Sequence, residues 1–180
     1  MHKRILTTMI LAAASGLLMA APLNVGPASK STMTATFKQE GVAVESPFTS
    51  FKGVINYEPQ SVAAATALIE VDMASLDLGD PAYSAELRKK SWFDTANFPK
   101  AVFRSTAIKP VNAARFDAVG TLTVKGKVLT ITVPVTVASS GTIFDGSFVM
   151  SRKSFGIGDP IWEDTVDDKV TVKFHLVAGK

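Results

Sequence analysis

The chain contains no cysteine and only two histidines among its 180 residues. Without cysteine it has no disulfide, no thiolate metal site and no lipid-modified cysteine anchor. His2 lies at the extreme N-terminus, so His175 is the one imidazole of the body. A single histidine cannot build the usual zinc site. A Ser–His–Asp triad would have to use this same residue as base, and no serine sits in a nucleophile-elbow motif. Polar aromatics are scarce as well: two Tyr and two Trp stand against eleven Phe. Phe brings apolar area without a polar handle, which suits a dry interior. Nor is there much net charge. Of 19 basic residues two, Lys3 and Arg4, fall in the first 21, leaving 17 against 16 acids, a net of +1. With no long basic stripe, nucleic-acid binding is not expected on charge grounds.

The N-terminus has the layout of a secretory signal. Met1-His2-Lys3-Arg4 is a short positive region, Ile5 to Ala14 is apolar, and Leu17-Leu18-Met19-Ala20-Ala21 supplies small residues for cleavage. The apolar run is too short, and too soon followed by Pro22, Asn24 and Gly26, for a stable membrane span. The expectation is a signal peptide over residues 1–21, export to a bacterial periplasm, and a single domain over 22–180.

From residue 31 the dominant period is two. Alternating sets run through Met33-Ala35-Phe37, Phe51-Gly53-Ile55-Tyr57, Ala67-Ile69-Val71-Met73 and Ala101-Phe103-Ser105-Ala107. They continue through Phe116 to Val124, Leu129 to Val137, Phe144 to Met150, and Val170 to Leu176. That predicts eight strands, rich in Val, Thr, Ile and Phe as strands prefer. Pro134, with no N–H to give, predicts an edge or bulge and leaves a homodimer through that edge open. Asp80 as cap, Pro81 at the first helical position and good helix formers from Ala82 to Lys90 predict one short helix. Residues 22–30 read as a loose leader.

Eight antiparallel strands leave two unpaired edges unless the sheet curls shut. The fold class is therefore all-β, an eight-stranded antiparallel barrel with the helix at one end. Such a barrel is filled by side chains or holds one small ligand. Here large residues stand beside small ones on one face, as in Phe116-Ala118-Gly120. This pattern allows either an apolar tunnel or an interlocked solid core.

Several motifs go further. Ser75-Leu76-Asp77-Leu78-Gly79, Glu86-Leu87-Arg88, Ser91-Trp92-Phe93-Asp94 and Asn97-Phe98-Pro99-Lys100 stand in one order. Gly120-Thr121-Leu122-Thr123-Val124 follows, then Ser151-Arg152-Lys153-Ser154-Phe155-Gly156-Ile157-Gly158 and Asp167-Asp168-Lys169. The ordered set, over roughly residues 31–178, resembles the YceI-like family. The resemblance implies a lipocalin-like barrel, a periplasmic home and a hydrophobic tunnel for polyisoprenoids such as ubiquinone-type quinones. It carries over no catalytic residue. The chain departs from the family after Gly158, where Asp159-Pro160-Ile161-Trp162 stands in place of a more glycine-rich turn.

The reading is a non-enzymatic carrier or buffer of isoprenoid chains. It requires no cofactor beyond a bound isoprenoid or quinone-type lipid. Strand parity nominates Phe37, Phe51, Ile55, Phe103, Leu122, Phe148 and Phe174 as tunnel lining. Trp92, Phe93 and Phe98 are placed near the entrance. Arg88 and Arg152 either pair with Asp77 or Asp94 to fix loops or meet a polar head group. The acids Asp159, Glu163, Asp164, Asp167 and Asp168 lack the alternation and central glycine of a calcium loop, and read as solvated. Two alternatives stay open: a quinone- or lipid-modifying enzyme, and a solid barrel that works through its outer surface with a partner.

Overall fold

A computed structural model describes residues 21–179. The signal proposed for residues 1–21 lies outside these residues except for Ala21. The chain forms β1 (Leu23–Val25), β2 (Thr32–Gln39), β3 (Val42–Pro47), β4 (Phe51–Asn56) and β5 (Thr66–Asp72), then α1 (Pro81–Glu86). It continues with β6 (Lys100–Asn112), β7 (Arg115–Val124), β8 (Lys127–Val137), β9 (Ile143–Ser151) and β10 (Lys169–Val177). All ten strands belong to one sheet, in the order β1-β4-β5-β6-β7-β8-β9-β10-β2-β3. Every pairing is antiparallel. The sheet curls into a half-barrel whose ends meet at two places. At one, Asn24 and Gly179 exchange both backbone hydrogen bonds, 2.8 and 2.9 Å. At the other, Asp77 N–H donates to the Pro47 carbonyl (3.0 Å) and Thr49 N–H to that of Ser75 (3.1 Å).

The strand count is therefore ten, not eight. The segment expected as a loose leader holds β1 and is tied down: Ser29 and Ser31 hydroxyls both donate to the Val177 carbonyl, at 2.6 and 3.2 Å. β3 is the second addition. It returns from β2 through Glu40 and Gly41, both at positive φ, as a two-residue primed hairpin requires. Lys125-Gly126 makes the same kind of turn between β7 and β8. The helix is also shorter than expected. Asp80 caps it through Ala82 N–H at 2.7 Å, but regular helix stops at Glu86. The chain then winds on in turns that bury Trp92 and Phe93.

Two irregularities shape the wall. Thr106 is an extra residue in β6: Ser105 faces Gly120, and the next pair is Ala107 with Val119. This bulge reverses the parity expected for the end of β6. Ala107 is exposed and Ile108 is buried, the opposite of the alternation in the sequence. The second is at Pro134. β8 pairs with β7 from Lys127 to Thr136 but with β9 only from Val135 to Val137. The ladder to β9 stops at the residue that has no N–H to offer, so β8 and β9 part there.

Candidate functional site

The inner faces of the strands surround a cavity of about 250 Å³. It lies just under the roughly 300–1,000 Å³ typical of small-molecule pockets. Its lining runs from Tyr57, Phe116 and Phe144 at one end to Leu87, Trp92 and Trp162 at the end that carries α1. The shape is thus a lumen along the half-barrel rather than a round chamber.

Glycines help to keep this lumen open. The Phe103 ring on β6 lies against Gly120 of β7, where a Cβ would sit 2.8 Å from it. The Phe174 ring on β10 lies against Gly146 of β9 in the same way. Each ring is laid onto the neighbouring strand instead of reaching across the centre. The large-beside-small pattern thus lets rings coat the wall.

At the end away from α1 three rings close the space. Tyr57 and Phe116 stack with centroids 6.1 Å apart, and Tyr57 meets Phe144 edge-on at 5.2 Å. Burial, and then the neighbouring Glu58 carboxylate, push the Tyr57 phenol above its usual range. The lining also reaches Ala65 and the exposed Thr66 here. At the other end the rim is formed by Gln39, Leu78, Tyr83, Glu86, Leu87 and Trp162. Tyr83 lines the cavity while 58% exposed, so the lumen meets solvent beside it.

Of the residues nominated from the sequence, Phe37, Ile55, Phe103, Leu122, Phe148 and Phe174 lie in the lining, as do Trp92 and Phe93. Phe51 and Phe98 are not brought to it. Phe51 is buried in the wall near the seam with β1, its backbone carbonyl close to Gly26. Phe98 packs against Gly126 in the β7–β8 turn. Parity missed Ile108, which the bulge turns inward, and the polar rim residues Gln39 and Glu86.

The arginines divide. Arg88 is exposed, and its guanidinium reaches the Ala74 carbonyl at 3.4 Å. Arg152 is buried and pairs with neither Asp77 nor Asp94. Its guanidinium donates to three backbone carbonyls: Ile157 at 2.8 Å, Val166 at 2.6 Å and Asp167 at 3.0 Å. It also lies 5.9 Å from the Trp92 ring centroid. It therefore staples the loop between β9 and β10 and is already engaged where a head group would need it. The acids of that loop hold it too. Asp159 caps the turn Pro160–Trp162 through Ile161 N–H at 3.1 Å, and Glu163 pairs with Lys153. Burial raises the Asp168 carboxyl, but the Lys153 N–H, the Ser151 hydroxyl and the Arg152 charge together outweigh it and hold it below its usual range. Lys125 crosses the same end, donating to the carbonyls of Ser91 (3.2 Å) and Gly156 (2.7 Å). Its burial lowers the ammonium pKa. His175 lies outside the lumen, 2.7 Å from Asp145 on the outer face. Among the described residues, two buried side-chain polar atoms lack a partner: Ser46 Oγ and the indole N–H of Trp92.

A curled antiparallel sheet around a hydrocarbon-lined lumen defines a lipocalin-like half-barrel. Within that class the chain belongs to the YceI-like family, whose domain model matches residues 25–178. It is 25% identical over 122 residues to a UPF0312 protein of Vibrio cholerae, and 32% identical over 95 residues to one of Yersinia pestis. These matches span 63% and 53% of this chain, but only 65% and 47% of those relatives. Among solved structures, Burkholderia cenocepacia BcnA superposes with a TM-score of 0.80 at 41% identity, covering 84% of this chain and 98% of that one. A polyisoprenoid-binding domain of Saccharophagus degradans shares the fold at a TM-score of 0.65 and 17% identity, covering 86% and 97%.

Proposed function

We propose that the protein binds a long isoprenoid lipid, a polyprenol or a ubiquinone-type quinone, in its lumen and acts as a periplasmic carrier or buffer for it. The observation that carries this reading is the elongated cavity coated by Phe, Ile, Leu and Val side chains, open beside Tyr83. The polyisoprenoid-binding domain that shares its fold supports the choice of lipid. Each buried CH₂ contributes about 0.8 kcal/mol. A micromolar complex needs about 8 kcal/mol net, after association costs of at least about 4 kcal/mol. Roughly three to six isoprene units meet that requirement with no charged contact. The unpartnered Trp92 N–H suits a lipid whose head carries an acceptor, such as a carbonyl or hydroxyl. Binding rather than catalysis fits the lining: Arg152 is engaged by carbonyls, and the carboxylate in the lining is Glu86 at the rim.

The test is uptake by delipidated protein. Solanesol or a ubiquinone-type quinone added from ethanol is expected to change the fluorescence of Trp92 and to saturate at one lipid per chain. Substituting Val172, a half-buried lining residue, with Trp is expected to weaken uptake at least tenfold by filling the lumen while the thermal transition persists. No saturable uptake by the parent protein would sink the proposal.

A further inference from the structure

The collar at the α1 end of the lumen carries exposed apolar side chains from three separate segments. Ile161, beside the rim residue Trp162, is 78% exposed, the most exposed of the large apolar residues among those described. Val42, paired across the β2–β3 hairpin with the rim residue Gln39, is 67% exposed. Tyr83 on α1 is 58% exposed and itself lines the lumen. The hairpin and the β9–β10 loop are joined: Glu40 N–H donates to the Thr165 carbonyl at 2.7 Å, and Gln39 bridges to Val166. Val42 and Ile161 thus sit on two joined segments, each next to a rim residue of the opening that Tyr83 also lines.

Charges on the segments that carry them nearly balance. Lys38, Arg88, Lys89, Lys90 and Lys153 stand against Glu40, Asp80, Glu86, Asp159, Glu163 and Asp164, with Lys89–Glu86 and Lys153–Glu163 already paired. Such a face suits a surface that is polar, uncharged overall and backed by hydrocarbon, which describes a zwitterionic bilayer interface. It does not suit a strongly anionic surface. The lumen gives the reason for such contact, because a long prenyl chain has almost no free concentration in water and is available only from a membrane.

We propose that the α1 end of the half-barrel docks transiently on a phospholipid bilayer, with Ile161, Val42 and Tyr83 entering the interface so that cargo passes between membrane and lumen without crossing water. This rests on the lipid-binding reading above. Three side chains are too few for stable anchoring, so the contact is brief and the protein stays free between collisions.

The experiment uses phosphatidylcholine vesicles and the paired substitution Val42→Asp with Ile161→Asp, neither residue lining the lumen. Lipid transfer from loaded protein is expected to quicken in proportion to vesicle concentration. The double variant is expected to slow it by about tenfold or more, because charged side chains resist the interface. Solanesol delivered from ethanol is still taken up within twofold of the parent. Brominated phosphatidylcholine gives a readout independent of cargo: it is expected to quench Trp162 in the parent protein and not in the variant. Transfer that ignores vesicle concentration, or equal rates in parent and variant, overturns the proposal. So does a dimer of the parent chain that the variant loses, since the face would then belong to a second copy. Quenching without any solanesol uptake would retain the docking and discard the lipid-binding reading instead.

Discussion

Phe103 and Phe174 show how single residues set the width of the lumen. Each ring has room only because a glycine stands on the adjacent strand. A Cβ at Gly120 would run into both the Phe103 ring and the Arg104 carbonyl. The carbonyl is backbone and cannot turn aside, so Gly120→Ala is expected to destabilise the fold by about 1–3 kcal/mol. The urea midpoint falls while the slope of the transition stays the same. Asp168 gives a pH signature. Its folded pKa is depressed below the unfolded value near 3.8, so its stabilisation is present above that value and is lost as pH falls through the folded pKa. Asp168→Asn is expected to lower stability at neutral pH and to flatten the fall below about pH 4, as read from melting temperatures across pH. These local roles were invisible beforehand. Sequence marks Gly120 and Asp168 as a strand glycine and a loop acid, and only packing shows which ring or N–H each one meets.

At the scale of elements, Arg152 binds the β9–β10 loop to the barrel. Its three carbonyl acceptors are spread over eleven residues, from Ile157 to Asp167. Lys offers its N–H donors from a single point and cannot reach three acceptors served by the separated Nε, Nη1 and Nη2, so Arg152→Lys is expected to destabilise by about 2 kcal/mol or more. Protease cleavage within residues 157–167 is expected to rise first, since the loop loses its anchor before the strands do. The strands themselves were largely legible, because period-two alternation survives wherever one face is buried. It failed in three places for distinct reasons. β1 is three residues long, too short to show a period. β3 is reached through Glu40-Gly41, which lacks the Asn-Gly or Asp-Gly signature of a tight hairpin. The bulge at Thr106 inverts parity within a continuous pattern, which no count of alternating residues reveals. Pro134 succeeded, since a missing N–H is a property of the residue and needs no partner to be read.

For the molecule as a whole, composition pointed in the right direction without deciding the matter. Abundant Phe among small residues left an open tunnel and a solid core equally admissible. The outcome depends on where rings lie relative to glycines on other strands, which is tertiary information. Along the regular strands the parity-nominated Phe37, Ile55, Phe103, Leu122, Phe148 and Phe174 border the cavity. Phe51, nominated by parity, and Phe98, placed near the entrance because it follows the helix, do not border it: their surroundings are set by the β1 seam and the β7–β8 turn.

The central claim is that this lumen holds an isoprenoid. The most direct measurement is mass spectrometry of an organic extract of the protein, purified after expression in a bacterial periplasm without added lipid. A prenyl lipid near one equivalent per chain, depleted when Val172 is replaced by Trp, is the predicted result. An extract free of prenyl lipids, from protein that also fails to bind solanesol, would contradict it.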